Sequence, residues 1–193
     1  MFLNVIIFLL IAVGGGLGSS WYMIEKGSRF TTRVNGPWVA WTAAGRSDAD
    51  PYTRAHFTRR GMLPVSSALA YTFEARTDDQ GQQLYSTCEY LIEGDEPVAA
   101  FWSLAVFDDN GGLIPNPADR YSFNSATFMR GHTGSWVVVL ARSARPGNWL
   151  PTGGAGRLAV VFTVEEPRDP GNTGAIVRAE QVAMPSIRRL TCN

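Results

Sequence analysis

The chain has 193 residues, of which 17 are basic and 17 acidic, so its formal net charge is zero. This balance provides no global field for nucleic acid, and we expect no nucleic-acid partner. The length accommodates one ordinary domain in addition to a single membrane span.

An apolar segment without any charged side chain covers residues 2–24. As a helix it would be about 34 Å long, which is enough to cross a hydrocarbon core of about 30 Å. No Lys or Arg precedes it, and Trp21 and Tyr22 stand where an interfacial aromatic belt would lie, so a retained anchor is favoured over a cleaved signal peptide. The predicted divisions of the chain are a transmembrane anchor over 1–24, a short tether over 25–35 and one domain over 36–193.

Two glycines of this segment, Gly14 and Gly18, are four positions apart. Small residues at this spacing let two membrane helices approach closely. We predict a helix–helix contact here, either with another copy of the chain or with a different membrane protein. The alternative is that glycine is simply common in membrane helices.

The sequence contains conflicting signals about orientation. Lys26, Arg29 and Arg33 follow the span, and the positive-inside rule would place the domain in the cytoplasm. Cys88 and Cys192 point the other way, because a disulfide between them would suit an oxidising compartment. Two buried free thiols are the alternative, and the residues alone leave both open.

A short helix is predicted after the tether. Asp50 is a good N-cap, Pro51 suits the first turn, and Gly61 suits the left-handed stop. Arg59 and Arg60 fall in the last turn, where the helix dipole favours cations. These signals predict a helix of about ten residues.

Strand signals dominate the rest of the chain. A turn at 78–81 predicts a hairpin between the first two long runs, and the apolar run 98–107 is typical of a strand covered on both faces. The predicted strands are 38–41, 68–75, 84–92, 98–107, 136–141, 158–164 and a weaker edge strand within 175–182. Short strands separated by turns predict a mostly β fold, an antiparallel, jelly-roll-like β-sandwich with one short accessory helix.

Several motifs occur in an order that resembles a known bacterial family. They are G-P-W at 36–38, D-P-Y-T-R-A at 50–55, R-G-M-L-P at 60–64, A-x-Y at 69–71, D-x-x-G-x-x-L at 78–84, F-W-S-L at 101–104, P-G-N-W-L-P at 146–151 and P-S-I-R-R at 185–189. Over about residues 34–189 the chain resembles the family known as domain of unknown function 1214.

The resemblance implies a β-sandwich without an established reaction. In this family the domain usually forms the C-terminal part of larger, often exported proteins, after a second uncharacterised domain. Here the apolar segment stands in that place, and residues 164–167 depart from the tyrosine-containing strand end expected of the family. The resemblance favours an anchor in the bacterial inner membrane with the domain in the periplasm rather than in the cytoplasm.

Reaction chemistry is weakly represented in the sequence. The two histidines, His56 and His132, lack any metal-ligand spacing, so we expect neither a metal nor another cofactor. No G-x-S-x-G elbow occurs. The glycines within 153–156 lack the lysine of a phosphate-binding loop and predict a hairpin turn.

Carboxylates near strand ends allow a glycosidase-type pair, which requires two carboxyl groups at a fixed separation. Turn aspartates more often bond nearby backbone amides. The candidates are Asp108, Asp109, Glu93, Asp95 and Glu96.

A ligand site is suggested by an arginine with aromatic and amide side chains that can stack and form forked hydrogen bonds with an anionic or sugar-like ligand. The alternative is that these residues dock the helix and fill the core. The predicted set is Tyr52, Arg54, Trp102, Asn148 and Trp149.

Three functional hypotheses follow from these patterns. The leading one is a membrane-anchored envelope protein acting as a ligand-binding or assembly module. The others are an envelope hydrolase acting on glycans with turn carboxylates, and an accessory subunit of a membrane complex. The sequence leaves open whether the protein is an enzyme, and the lack of a catalytic constellation argues against it.

Overall fold

A computed structural model describes residues 2–131, 134–169, 172–176 and 179–192. The chain forms two compact units. The first comprises Met1–Thr32 and Trp41–Ser67, and the second comprises Arg33–Ala40 and Ala68–Asn193. The predicted boundaries between anchor, tether and domain stay predictions.

The first unit contains the apolar helix α1, Phe2–Lys26, in which no described residue is buried. This helix is long and apolar enough to cross a membrane, a property that an N-terminal signal sequence shares. It ends at Gly27, whose amide donates to the Met23 carbonyl at 3.0 Å in a left-handed conformation (φ +72°). A Cβ at Gly27 would lie 2.3 Å from Thr32 Cγ2, so only glycine fits this stop.

The predicted short helix is confirmed as α2, Pro51–Arg59, also in the first unit. Asp50 Oδ1 accepts hydrogen bonds from the amides of Tyr52 and Thr53, both at 3.0 Å, and Thr53 Oγ1 donates to Asp50 Oδ2. These bonds satisfy amides that the first turn of a helix otherwise leaves unpaired.

The second unit is a β-sandwich, which confirms the predicted fold class. Its larger sheet has the strand order β1-β2-β3-β9-β5-β6 with β10 on β9, and its smaller sheet has the order β11-β4-β7-β8. Both are open sheets, so the sandwich is not a closed barrel. The strands are β1 (Thr32–Asn35), β2 (Trp38–Trp41), β3 (Ala70–Ala75), β4 (Cys88–Asp95), β5 (Ala99–Asp108), β6 (Ser122–Asn124), β7 (Ser135–Ala141), β8 (Asn148–Pro151), β9 (Leu158–Asp169), β10 (Asn172–Ile176) and β11 (Ser186–Cys192).

One described pair departs from the predicted antiparallel pattern, since β7 and β8 are parallel. Neighbouring parallel strands ordinarily need a connection of a dozen or more residues. Here residues 142–147 suffice, because β8 has only four residues and pairs with the second half of β7.

The predicted hairpin between 68–75 and 84–92 is wrong. The turn itself forms, and the Leu84 amide donates to the Arg76 carbonyl at 2.9 Å. The chain then crosses to the other sheet, so β3 pairs with β2 and β9 whereas β4 pairs with β7 and β11. Leu84 is fully buried at this crossing and belongs to the hydrophobic core.

Two further strand predictions need correction. The glycine turn within 153–156 links β8 to β9, which belong to different sheets, so it is not a hairpin turn. The weak edge strand predicted over 175–182 is not continuous, because β10 ends at Ile176 and a 3₁₀ turn occupies Ala179–Gln181; residues 177 and 178 lie outside the described residues.

The core lies between the two sheets. On β5, Trp102, Leu104 and Val106 are buried, while Ser103 and Ala105 between them are half-buried. One face of this strand therefore lies in the core, and the other face, which the sequence predicts to be covered as well, is partly covered. The largest buried side chains are Trp38, Trp102, Trp136, Tyr90 and Phe162.

The two cysteines of the chain face each other across β4 and β11. Cys88 pairs in register with Cys192, and a disulfide bond joins them. The bond ties the C-terminal strand to the smaller sheet.

Candidate functional site

The predicted ligand residues divide between the two units. Tyr52 and Arg54 belong to α2 in the first unit. Arg54 is exposed, and its Nη2 donates to the Ser47 carbonyl at 2.7 Å, which ties α2 to the loop before it. The idea that a buried Arg54 docks the helix is therefore wrong, and its role toward a ligand stays a prediction.

Trp102 lies in the core of the sandwich. Its ring stacks on Trp136 with centroids 4.9 Å apart and packs on Phe128 at 4.8 Å. It is almost fully buried, and its Nε1 makes no hydrogen bond within the described part of the chain. These contacts give Trp102 a packing role.

Asn148 is buried and makes its three described hydrogen bonds with backbone groups. Its Oδ1 accepts from the Met129 amide at 2.6 Å, and its Nδ2 donates to the carbonyls of Met129 and Val137, each at 2.9 Å. The amide therefore clamps the segment around Met129 onto β7 and β8.

Trp149, the next residue on β8, is half-buried and anchored by its indole nitrogen. Nε1 donates to the Ala141 carbonyl at 3.0 Å. The guanidinium of Arg120 lies 5.9 Å from the Trp149 ring centroid and 5.6 Å from that of Phe123. Arg120 Nη1 also approaches the Trp149 carbonyl at 3.4 Å. Arg120 is therefore the arginine beside Trp149 in the sandwich.

We call Arg120, Phe123 and Trp149 the Arg120 cluster. Phe123 lies on β6 and Trp149 on β8, which are edge strands of the two sheets. Arg120 is exposed, and no carboxylate among the described residues pairs with it. The cluster thus presents a cation without an ion-pair partner beside two aromatic rings.

The loop before β6 holds Arg120 in place through Asn116. Asn116 Oδ1 accepts from the Arg120 amide at 3.1 Å, and its Nδ2 donates to the carbonyls of Ile114 and Arg120, both at 3.0 Å. Asp119 has a left-handed backbone (φ +49°), which aspartate tolerates better than most residues. The hydrogen bond that Tyr121 donates to the Asp119 carboxylate raises the pKa of the Tyr121 hydroxyl.

The chemistry of this arrangement suits an anionic or sugar-like ligand. Guanidinium groups bind carboxylate and phosphate through two parallel hydrogen bonds, and the half-exposed face of an indole stacks on sugars and other flat apolar surfaces. The residue pattern at 146–151 indicates Trp149 from the sequence. Arg120 is missed there, because only folding brings it close to a strand 29 positions later.

The turn carboxylates act as turn formers and ion-pair partners. Asp108 Oδ1 accepts from the amides of Asn110 and Gly112 at 2.9 and 2.7 Å. Asp95 contributes its backbone carbonyl to the Trp136 indole. The ion pairs are Asp109 with Arg76 and Arg157, Glu93 with Arg188, and Glu96 with Arg130. The hydrolase hypothesis gains no specific support from these contacts.

Of the two histidines, only His56 lies within the described residues. His56 is buried, stacks on Trp41 at 4.1 Å between centroids, and its Nδ1 lies 2.7 Å from the Ile24 carbonyl. His132 lies outside the described residues. No group of three or more metal-binding side chains occurs in the described part of the chain.

Comparison with known proteins places the chain in a family. A family model described as "Protein of unknown function (DUF1214)" matches residues 69–169, more than half of the chain. The chain belongs to this family. No curated protein matches this DUF1214 protein.

Two solved structures are similar to this DUF1214 protein. One is the VPA0106 protein of Vibrio parahaemolyticus, with a TM-score of 0.63 and 20% identity over 94% of this chain and 44% of that chain. The other is a putative uncharacterised protein from Burkholderia cenocepacia, with a TM-score of 0.46 and 16% identity over 96% of this chain and 43% of that one. The chain spans less than half the length of either, and the first similarity supports the fold alone.

Proposed function

We propose that this DUF1214 protein is a single-span protein of the bacterial inner membrane whose sandwich lies in the periplasm and serves as a binding or assembly module. The disulfide between Cys88 and Cys192 is the observation that carries the orientation. Disulfides persist in oxidising compartments and are rare in the cytoplasm.

The disulfide outweighs the opposing charge signal. Lys26, Arg29 and Arg33 follow the span and favour the cytoplasm. In that compartment, however, the thiol pool would reduce the bond and release β11 from its covalent tie. A bond across 104 positions stabilises the folded chain by roughly 4–5 kcal/mol in the chain-entropy treatment. A periplasmic sandwich keeps that stabilisation.

Thiol labelling of intact cells tests the orientation. Cys192 is exposed and Cys88 is buried. A membrane-impermeant maleimide should label Cys192 only after an impermeant reductant is added. In the Cys88→Ala variant the Cys192 thiol is free and should be labelled without reductant. If labelling of that variant requires cell lysis, the sandwich faces the cytoplasm and the proposal fails.

The binding role is assigned to the Arg120 cluster. An exposed guanidinium that pairs with no carboxylate among the described residues, held beside the Trp149 ring, supports an acidic carbohydrate as the class of ligand. Such a ligand offers a carboxylate for Arg120 and an apolar sugar face for the indole.

This role is tested by measuring the equilibrium binding of an acidic oligosaccharide, such as an oligogalacturonate, to the full chain in detergent. We expect Arg120→Ala to weaken binding about tenfold or more, which corresponds to about 1.4 kcal/mol. Arg120→Lys should recover part of the loss, because lysine keeps the charge without the planar fork. The control is Arg188→Ala, which removes another exposed arginine of the sandwich. Equal affinities of the Arg120→Ala and Arg188→Ala variants would contradict the assignment.

A further inference from the structure

The C-terminal end of α2 lies against the last turns of α1. His56 Nδ1 is 2.7 Å from the Ile24 carbonyl, and Arg59 Nη1 is 2.9 Å from Glu25 Oε1. The Arg59 guanidinium also stacks over the Trp21 ring, 3.7 Å from its centroid. His56 and Arg59 thus contact α1 between Trp21 and Glu25, where its apolar part ends. The C-terminal end of α2 therefore lies beside the end of the segment that is proposed to cross the bilayer.

The loop that follows α2 presents apolar side chains to the outside. Leu63 is 100% exposed, Val65 54% and Met62 47%. A fully exposed leucine within a cluster of apolar side chains is a feature of surfaces that meet a membrane or a partner. We call residues 62–65 the apolar loop.

The backbone of the apolar loop is anchored on both sides. The Met62 amide donates to the Phe57 carbonyl at 3.0 Å, and the Ser67 amide donates to the Ala44 carbonyl at 2.8 Å. Gly45 has a left-handed backbone (φ +64°), and a Cβ there would lie 2.6 Å from the Pro64 carbonyl oxygen. The loop is therefore packed against Gly45, and Leu63 is held outward by ordered backbone.

The charges around the loop match an anionic membrane surface. Arg60 precedes it and is exposed, and Arg59 lies at the level of Trp21, where an interfacial aromatic belt is expected. Phe30, four residues beyond the end of α1, is 83% exposed in the same unit. Basic residues beside exposed apolar side chains are the pattern of interfacial membrane binding.

We propose that the apolar loop inserts into the headgroup region of the bilayer that α1 crosses, with Leu63 reaching the acyl boundary and Arg60 at the lipid phosphates. The first unit then has two membrane contacts, the span and the loop, which together fix its tilt. This inference rests on the proposed anchoring by α1.

Site-specific fluorescence in vesicles of phosphatidylethanolamine and phosphatidylglycerol tests the proposal with the full chain. Both native cysteines are in the disulfide, so a single added cysteine takes an environment-sensitive nitrobenzoxadiazole dye selectively. Leu63→Cys reports on the loop. Ser47 is exposed, lies before the N-terminus of α2 and belongs to the same unit, so Ser47→Cys is the matched control. Leu10→Cys reports on the span.

We expect the dye at position 63 to be blue-shifted, quenched by lipids that carry a nitroxide near the headgroup and protected from iodide. The dye at position 47 should show the opposite behaviour. The loop proposal alone is overturned if the dye at position 63 has the same emission and quenching as the dye at position 47, while the dye at position 10 is quenched by nitroxide deep in the acyl chains. If the dye at position 10 is not quenched by lipid either, the anchoring itself fails.

Discussion

At the residue scale, the two stacked tryptophans of the core differ in one respect. Trp102 and Trp136 are almost equally buried, yet only Trp136 has a described hydrogen bond, from Nε1 to the Asp95 carbonyl at 3.1 Å. Trp102 Nε1 has none. A buried donor without an acceptor costs free energy, so the Trp102 indole nitrogen reduces the stability that its ring contributes.

Phenylalanine substitutions separate these two contributions. Both Trp102→Phe and Trp136→Phe lose ring volume, but only Trp136→Phe also loses a hydrogen bond. We expect Trp136→Phe to be less stable than Trp102→Phe by about 1 kcal/mol, because it also loses a hydrogen bond. The loss is no larger because Asp95 is exposed, so its carbonyl can bind water in place of the indole. Denaturant unfolding of the disulfide-bonded chain measures the difference. Equal free energies of unfolding would mean that the Trp136 hydrogen bond contributes nothing net.

The Arg120 cluster shows the limit of reasoning from sequence at this scale. Asn148 and Trp149 stand out because Pro and Gly precede them in a compact motif. Arg120 lies in a turn of Asn, Pro and Asp residues that looks like many surface turns. Its position beside Trp149 depends on two edge strands of different sheets, a relationship that no local pattern records.

At the scale of the element, α2 is predictable because its signals are local. The cap, the proline and the terminal glycine act within a few residues of one another. The interactions that decide which strands pair with each other are not local in the sequence. The run after the 78–81 turn is a strand as predicted, but it pairs with β7 and β11 in the smaller sheet, a choice of partners that a hydrophobic pattern does not specify.

The cap of α2 makes a pH-dependent contribution. Burial of Asp50 acts to raise the pKa of its carboxyl, but hydrogen bonds from the Thr53 hydroxyl and from the amides of Thr53 and Tyr52 outweigh burial and lower it. Because the folded-state pKa is below the unfolded value of about 3.9, the ionised cap stabilises the folded state above that pH. This stabilisation is lost as the pH falls through the folded-state pKa.

Two variants of Asp50 test the cap. Asp50→Ala should reduce stability by about 1 kcal/mol at neutral pH, and Asp50→Asn by less, because asparagine keeps the acceptor for the two amides. The difference between the native chain and Asp50→Asn should shrink as the pH falls below the unfolded-state pKa of about 3.9 and the carboxylate becomes protonated. Hydrogen exchange of the α2 amides measures the local stability. A difference that is constant with pH would show that ionisation of Asp50 is not what strengthens the cap.

At the scale of the whole molecule, the two units carry different properties. The first unit holds the apolar helix and the loop beside its end, and the second is a sandwich closed by a disulfide between its last strand and β4. The edge strands β6 and β8 carry the only cluster that we assign to a ligand. The proposed membrane contacts therefore belong to the first unit, and the proposed ligand cluster belongs to the second.

The glycine face of α1 is the predicted site of helix–helix association, either with another copy of the chain or with a different membrane protein. A Cβ at Gly14 or Gly18 would meet nothing within 4 Å, so larger side chains there do not disturb the fold of the single chain. We expect such a substitution to act through a second helix that packs on this face, where glycine permits close backbone approach. Gly14→Ile with Gly18→Ile should therefore abolish association while leaving the sandwich folded.

Energy transfer between donor- and acceptor-labelled chains in lipid vesicles measures self-association through α1. We expect the transfer seen with the native chain to fall to the level of random proximity in the double isoleucine variant. Val13→Ile with Leu17→Ile is the matched control, because it makes two changes at the same spacing on a neighbouring part of the helix surface. If both double variants transfer energy like the native chain, the glycines do not mediate self-association. If the native chain itself shows only the transfer expected from random proximity in the vesicles, we expect a different membrane protein to co-purify with the native chain and not with the double isoleucine variant.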